Sequence, residues 1–315
     1  MPKDTDNSAS SSISDHFLSI SNLFGRFVRR NFLKLTPIQL RTLLDRLSGL
    51  YPGNRSVVFK MKELNGIPAA HLFPKKTIED QQRKTVILVH GGAFAFGSVQ
   101  THRALATALV RSVNCEVWIP AYRLAPEFPF PIPLEDVVRS CEAIIGDAQD
   151  WWLLGDSAGG NLAMSALFEI ANKHQKIPNG LILLSPWLDL GYWSESNLFE
   201  RTKMSPFNRK DVFEYARYYL KDLSPDNPKV YPLANDLSKL PKVYVEASEA
   251  EYLWYDFELI RKTFANQNRS LFTRIERSAL HGWQLFPDIL PEAKRSIRSI
   301  SQFIFTTKTQ PENQN

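Results

Sequence analysis

From Arg55 onward, short apolar runs alternate with segments whose apolar residues recur every three or four positions, and this alternation constrains the chain more than any other feature. Strands are expected over 55–61, 67–72, 85–90, 115–121, 151–155, 181–185, 242–248 and 271–277. Helices are expected near 100–112, 134–145, 158–173, 252–266 and 290–304. Runs such as Val86-Ile87-Leu88-Val89 and Leu181-Ile182-Leu183-Leu184 are apolar throughout. Strands covered on both faces need that, and a parallel sheet between helical layers supplies it. The pattern predicts one doubly wound α/β domain.

The flanking segments read differently. Residues 1–12 are polar and Ser-rich, the composition of a disordered terminus. Ile13, Phe17, Ile20, Phe24 and Phe27 then fall on one helical face, with Arg26, Arg29 and Arg30 crowding its end. A second helix is expected to start at Thr36-Pro37, bury Leu40, Leu43, Leu44 and Leu47, and stop at Gly49. A basic amphipathic helix can lie on a membrane; the second helix directly after it favours packing on the domain instead. The stretch 190–225, with Trp193, Phe199, Phe207 and a helical pattern at 209–221, interrupts the alternation and reads as an insertion. Residues 307–315 form a polar tail.

Composition excludes several functions. The chain has 315 residues, and its 38 Lys and Arg are interleaved with 33 Asp and Glu, so no basic stripe points to nucleic acid. Only Cys115 and Cys141 occur, without metal-ligand or disulfide spacing, as expected of two reduced thiols in a cytoplasmic protein. The N-terminus does not read as a signal peptide, and no apolar run approaches the ~18 residues of a membrane span. No phosphate-cradling glycine motif and no metal cluster appears, so no cofactor is implied.

The residues that carry chemistry lie at the ends of expected strands. Gly155-Asp156-Ser157-Ala158-Gly159 fits G-x-S-x-G, a weak pattern alone. It gains weight from the strand Trp151–Leu154 before it and the helical spacing of Leu162, Ala163, Ala166 and Leu167 after it. A sharp strand-to-helix turn presents the serine oxygen, and glycines on both sides remove side chains that would collide there. His90-Gly91-Gly92-Ala93-Phe94 closes the 85–90 strand, where small residues let backbone N–H groups face an oxyanion; Ala158 supplies another N–H. A serine nucleophile needs a base, and the base needs an orienting carboxylate. Of the six histidines, His281 alone follows a late strand, in the Ser…Asp/Glu…His chain order of such folds. For the acid, Glu246, Glu249 and Glu251 compete at the end of the 242–248 strand.

Five blocks, in order, resemble a known family. They are His90-Gly91-Gly92-Ala93 with Gly97-Ser98; Tyr122-Arg123-Leu124-Ala125-Pro126-Glu127; Gly155-Asp156-Ser157-Ala158-Gly159-Gly160-Asn161; Ser185-Pro186-Trp187-Leu188-Asp189; and His281-Gly282. Together they resemble the hormone-sensitive-lipase-like branch of the α/β-hydrolases, mostly bacterial esterases, from about residue 84 onward. The resemblance implies Ser157 as nucleophile, His281 as base, and an oxyanion hole from Gly91, Gly92, Ala93 and Ala158. It favours Glu251 as the acid, because Glu251-Tyr252-Leu253-Trp254-Tyr255-Asp256 keeps the family's acidic frame. It also implies a helical cap, which residues 13–50 and 190–225 would build. Ala93 stands where the family has a third glycine, Ala121 where an aspartate is common, and Phe128 where a histidine is common.

The expectation is therefore an α/β-hydrolase fold over 51–306, with a mostly parallel eight-stranded sheet, helices on both faces and a cap. It would hydrolyse short- to medium-chain carboxylic esters of small molecules, with no nucleic-acid partner, no integral membrane segment and self-association into a homodimer left open. The competing readings are an amidase, a lactonase or a lipase at membranes. A fourth is a non-catalytic binding protein like the plant gibberellin receptors, which resemble this family but lack the histidine.

Overall fold

In a computed structural model that describes residues 35–76, 84–146, 148, 150–173, 177–191 and 209–307, the apolar runs become a single eight-stranded sheet. The strands are β1 (Val57–Leu64), β2 (Ile67–Pro74), β3 (Lys84–Val89), β4 (Glu116–Pro120), β5 (Asp150–Asp156), β6 (Gly180–Leu184), β7 (Lys242–Ser248) and β8 (Phe272–Glu276). Their spatial order is β1-β2-β4-β3-β5-β6-β7-β8. β2 runs antiparallel to both β1 and β4, and every pair from β4 to β8 is parallel. The first strand continues to Leu64, past its expected end, because Asn65 and Gly66 both take positive φ and make a two-residue turn that pairs Leu64 with Ile67.

The sheet's two faces come from side-chain alternation along the apolar strands. Trp151, Leu153, Leu181 and Leu183 join one core with α3 (Ile132–Ile145), α4 (Ala158–Lys173) and α6 (Trp254–Asn266). Trp152, Leu154, Ile182 and Leu184 point the other way, into a core with α2 (Arg103–Val113) and α7 (Pro291–Thr306). Every residue of β5 and β6 is buried, which is why neither strand shows a polar alternation.

Two further helices stand apart from these layers. α1 (Pro37–Gly49) begins with a capping box between Thr36 and Gln39; Leu40 is buried, whereas Leu47, expected on the same buried face, is exposed. α5 (Arg209–Leu220) packs Val212, Tyr215, Ala216 and Tyr219 against the α3-side core. The expected first helix with Phe24 and Phe27, and the aromatic residues Trp193, Phe199 and Phe207, lie outside the described residues. No helix among the described residues is long and apolar enough to cross a membrane.

β3 is flanked by β4 on one side and β5 on the other, so the chain winds in opposite directions from it. The loops leaving β3 and β5 diverge and open a crevice at the strands' C-terminal ends, where open α/β sheets place their ligands.

Candidate active site

The turn after β5 is forced by close approach. A Cβ on Gly155 would run into the Gly159 carbonyl, and one on Gly159 would run into the carbonyls of Val89 and His90. Between them Ser157 takes φ +52°, a left-handed conformation that costs a non-glycine residue on the order of 1–3 kcal/mol. Three bonds fix it: Ser157 N–H donates to the Leu184 carbonyl at 2.9 Å, and its own carbonyl accepts from Gly160 at 2.9 Å and Trp187 at 3.0 Å. The serine oxygen is thus held above β5 at the start of α4.

His281 sits in the loop between β8 and α7, next to Gly282 with φ +76°. Its Nε2 lies 3.1 Å from Ser157 Oγ and its Nδ1 2.7 Å from Glu251 Oε2. A carboxylate only accepts, so Nδ1 carries the proton and, in the neutral ring, Nε2 accepts from the serine hydroxyl. The other oxygen of Glu251 accepts from Ser248 N–H and from Ser185 Oγ–H, each at 2.7 Å, and the side chain is buried. The two rival carboxylates stand elsewhere. Glu249 is exposed, and its backbone N–H bonds the Glu276 carbonyl at 2.9 Å. Glu246 is buried beneath α7 among Arg274, Ser296 and Tyr244.

The loop after β3 folds back on itself, with Ala95 and Phe96 N–H both donating to the Gly92 carbonyl at 3.0 and 2.8 Å. Gly92, Ala93 and Phe94 all take positive φ, and a Cβ on Gly92 would meet the Phe96 carbonyl. Among the expected oxyanion donors Gly91 requires correction. Its N–H donates to Asp156 Oδ1 at 2.9 Å and is spent inside the protein. The N–H groups of Gly92, Ala93 and Ala158 donate to no protein acceptor among the described residues.

Several residues support the site through contacts the sequence does not show, although Tyr122 and Asp156 stand in its matching blocks and Asp256 in its acidic frame. His102 Nε2 meets the same Asp156 oxygen at 2.9 Å. Burial acts upward on Asp156 more strongly than any other single influence, yet the His102 charge and the bonds from His102 and Gly91 together hold its carboxyl below its ordinary value. Burial, and next the charge of His102, push His90 down to about 3, so it is neutral at working pH. Tyr122 Oη–H donates to the His90 carbonyl at 2.6 Å, which seats the second sequence block beneath the loop. Asp256 Oδ1 accepts from Leu188 and Asp189 N–H at 2.7 and 2.8 Å and so fixes the segment that carries Trp187. Ser185 opens the fourth sequence block, at the end of β6, without a role of its own there; His102 offered no such signal.

Ser157 and His281 open into a cavity of about 240 Å³. Its walls include Leu44 and Ser48 of α1, Val212 and Tyr215 of α5, and Phe96, Trp187 and Phe286 from loops. No Lys or Arg lines it among the described residues. Cys115 and Cys141 are free and buried away from it, and burial pushes each thiol up to about 12.

Comparisons with known proteins agree with this architecture. Residues 86–285 match a family described as having the alpha/beta hydrolase fold. An esterase of Acinetobacter venetianus is 31% identical over 277 residues, covering 86% of this chain and 89% of its own. An acetyl-hydrolase of Streptomyces hygroscopicus is 28% identical over 72% of this chain and 77% of its own. The crystal structure of an esterase from the bacterial hormone-sensitive lipase family superposes with a TM-score of 0.83 at 29% identity, covering 92% of this chain and 97% of that one.

Proposed function

The chain belongs to the alpha/beta hydrolase fold family, and on that premise we propose that it is a serine carboxylesterase acting on short- to medium-chain esters. The observation that carries the reading is the chain of contacts from Ser157 Oγ through His281 to Glu251, at 3.1 and 2.7 Å. Ser157 Oγ attacks the ester carbonyl as its proton passes to His281 Nε2. Glu251 stabilises the imidazolium, and the N–H groups of Gly92, Ala93 and Ala158 hold the oxyanion. Collapse of the tetrahedral intermediate breaks the ester C–O bond, and His281 returns the proton to the departing alkoxide. Water, deprotonated by His281, then releases the acid from Ser157. These residues need no cofactor for either half-reaction.

The apolar walls and the lack of a cation in the cavity support neutral substrates. α1 and α5, standing over the site, serve as the described part of a cap. The two buried, unpaired cysteines support a cytoplasmic location.

The test uses purified protein and p-nitrophenyl esters from acetyl to palmitoyl. Rates should rise by up to ~0.8 kcal/mol of binding per accommodated methylene and then fall once the cavity is full. Ser157→Ala should fold and lose activity by roughly a million-fold in kcat. A parent protein inert on every ester, or a Ser157→Ala variant that retains more than a few per cent of activity, overturns the reading.

A further inference from the structure

We propose that Arg41 is a positioning residue for the oxyanion hole, so that the helix walling the cavity and the loop that binds the developing charge act as one unit. The inference rests on the esterase reading above.

The geometry starts on α1. Arg41 and Asp45 are one turn apart and share a face, and both reach the loop that follows β3. Arg41 Nε donates to the Ala95 carbonyl at 2.5 Å and its Nη2 to the Ala125 carbonyl at 2.5 Å. Nη1 and Nη2 also bond the two oxygens of Glu127, each at 2.7 Å. Asp45 accepts from Ser98 Oγ–H. Leu44 and Ser48, on the same helix, line the cavity.

The two carbonyls that Arg41 grips belong to one hydrogen-bonded frame. Ala95 N–H donates to the Gly92 carbonyl at 3.0 Å, and Ala125 N–H donates to the Phe94 carbonyl at 2.9 Å. Gly92, Ala93 and Phe94 all stand at positive φ, which the surroundings must impose on Ala93 and Phe94. Arg41 thus braces both ends of the strained segment, of which Gly92 and Ala93 line the cavity together with Ser157. Only a planar guanidinium can span two carbonyls and a bidentate carboxylate together, which a lysine ammonium cannot. Glu127 completes the clamp by neutralising its charge, and the bond from Arg41 holds the Glu127 carboxyl below its usual range.

The experiment compares the full-length parent with Arg41→Gln on p-nitrophenyl acetate and butyrate. An oxyanion hole acts in the transition state, and a misplacement of about 1 Å costs on the order of a hundredfold. The expected result is a kcat about 10- to 100-fold lower with KM little changed, and partial recovery of kcat in Arg41→Gly when millimolar guanidinium is added. A phenylboronic acid, which forms a tetrahedral adduct with the serine, should lose affinity in parallel. Arg41→Lys, which keeps the charge, is read in the same way should Arg41→Gln fail to fold. A folded variant with parental kcat, or one in which only KM rises, overturns the inference and leaves the esterase reading intact; a parent inert on esters overturns that reading instead.

Discussion

His102 Nε2 and Gly91 N–H converge on one oxygen of Asp156, each at 2.9 Å, so the buried carboxylate directly before Ser157 ties the elbow to the glycine loop after β3. Both side chains are nearly closed to solvent, at 3% and 9% exposure. Asp156→Ala leaves both of these buried donors without their acceptor, and a buried unsatisfied polar group costs about 1–3 kcal/mol. Asp156→Ala should therefore lose that much in urea unfolding. The lowered pKa sets the sign with pH. The stabilisation is complete above the ordinary aspartate range of ~4 and is lost as pH falls below it through the native value. An Asp156→Ala variant as stable as the parent at pH 7 would show that the carboxylate contributes nothing to holding the fold.

Glu251 and Glu249 can be separated by a single atom. Glu251 accepts three hydrogen bonds, from His281, Ser248 and Ser185. An amide there must turn its NH2 either on His281 or on the two donors at the other oxygen, so Glu251→Gln forces the wrong tautomer or leaves donors unpaired. It should lower kcat by roughly ten-thousand-fold. Glu249 is exposed, and Glu249→Gln should keep the parental rate. The reverse outcome in a p-nitrophenyl acetate assay would reassign the acid.

Ala93 carries a side chain at φ +50°, where a glycine would be unstrained. Ala93→Gly removes about 1–2 kcal/mol of strain but adds ~0.4–1 kcal/mol of unfolded-chain entropy. The net effect is a small gain in melting temperature. Ala93 also lines the cavity, so esters branched beside the carbonyl should turn over faster in the variant while acetate rates hold. A marked drop in melting temperature would mean that the methyl group contributes packing that outweighs the strain.

Glu246 runs opposite to Asp156. Burial raises its carboxyl to about 7, against the pull of Arg274, Ser296 and Tyr244. The native state then holds a proton that the unfolded chain has released, and stability declines as pH rises from ~4.3 toward 7. The decline should amount to roughly 2–3 kcal/mol, from ~1.4 kcal/mol per pKa unit. In Glu246→Gln, chemical unfolding between pH 5 and 8 should lose that slope. A slope unchanged in the variant would place the titration on another group.

The strands and most helices were legible because the fold buries β3, β5 and β6 on both faces, and burial leaves its mark directly in composition. The elbow was legible for a similar reason, since Gly155 and Gly159 face backbone that excludes any side chain. The pairing of His102 with Asp156 was not legible, as it spans 54 positions and depends on how the residue before α2 meets the end of β5. Nor could the sequence tell which amide of the glycine loop is already engaged: Gly91, Gly92 and Ala93 look equivalent until Asp156 is placed beside the first of them. Arg41 carried no signal in the sequence, because its partners Ala95, Ala125 and Glu127 lie 54, 84 and 86 positions away.

The proposed base enters the chain late. His281 lies 124 residues beyond Ser157, past the last strand of the sheet. At translation speeds of ~5–20 residues per second, a nascent chain carries its serine for on the order of 6–25 s before the histidine is even synthesised. During that interval the elbow can form between β5 and α4, but nothing withdraws the hydroxyl proton. The order of synthesis therefore sets the order of assembly: under the proposed mechanism, a polypeptide that stops before the eighth strand carries the serine without its base, and reactivity toward esters arrives only with the completed sheet.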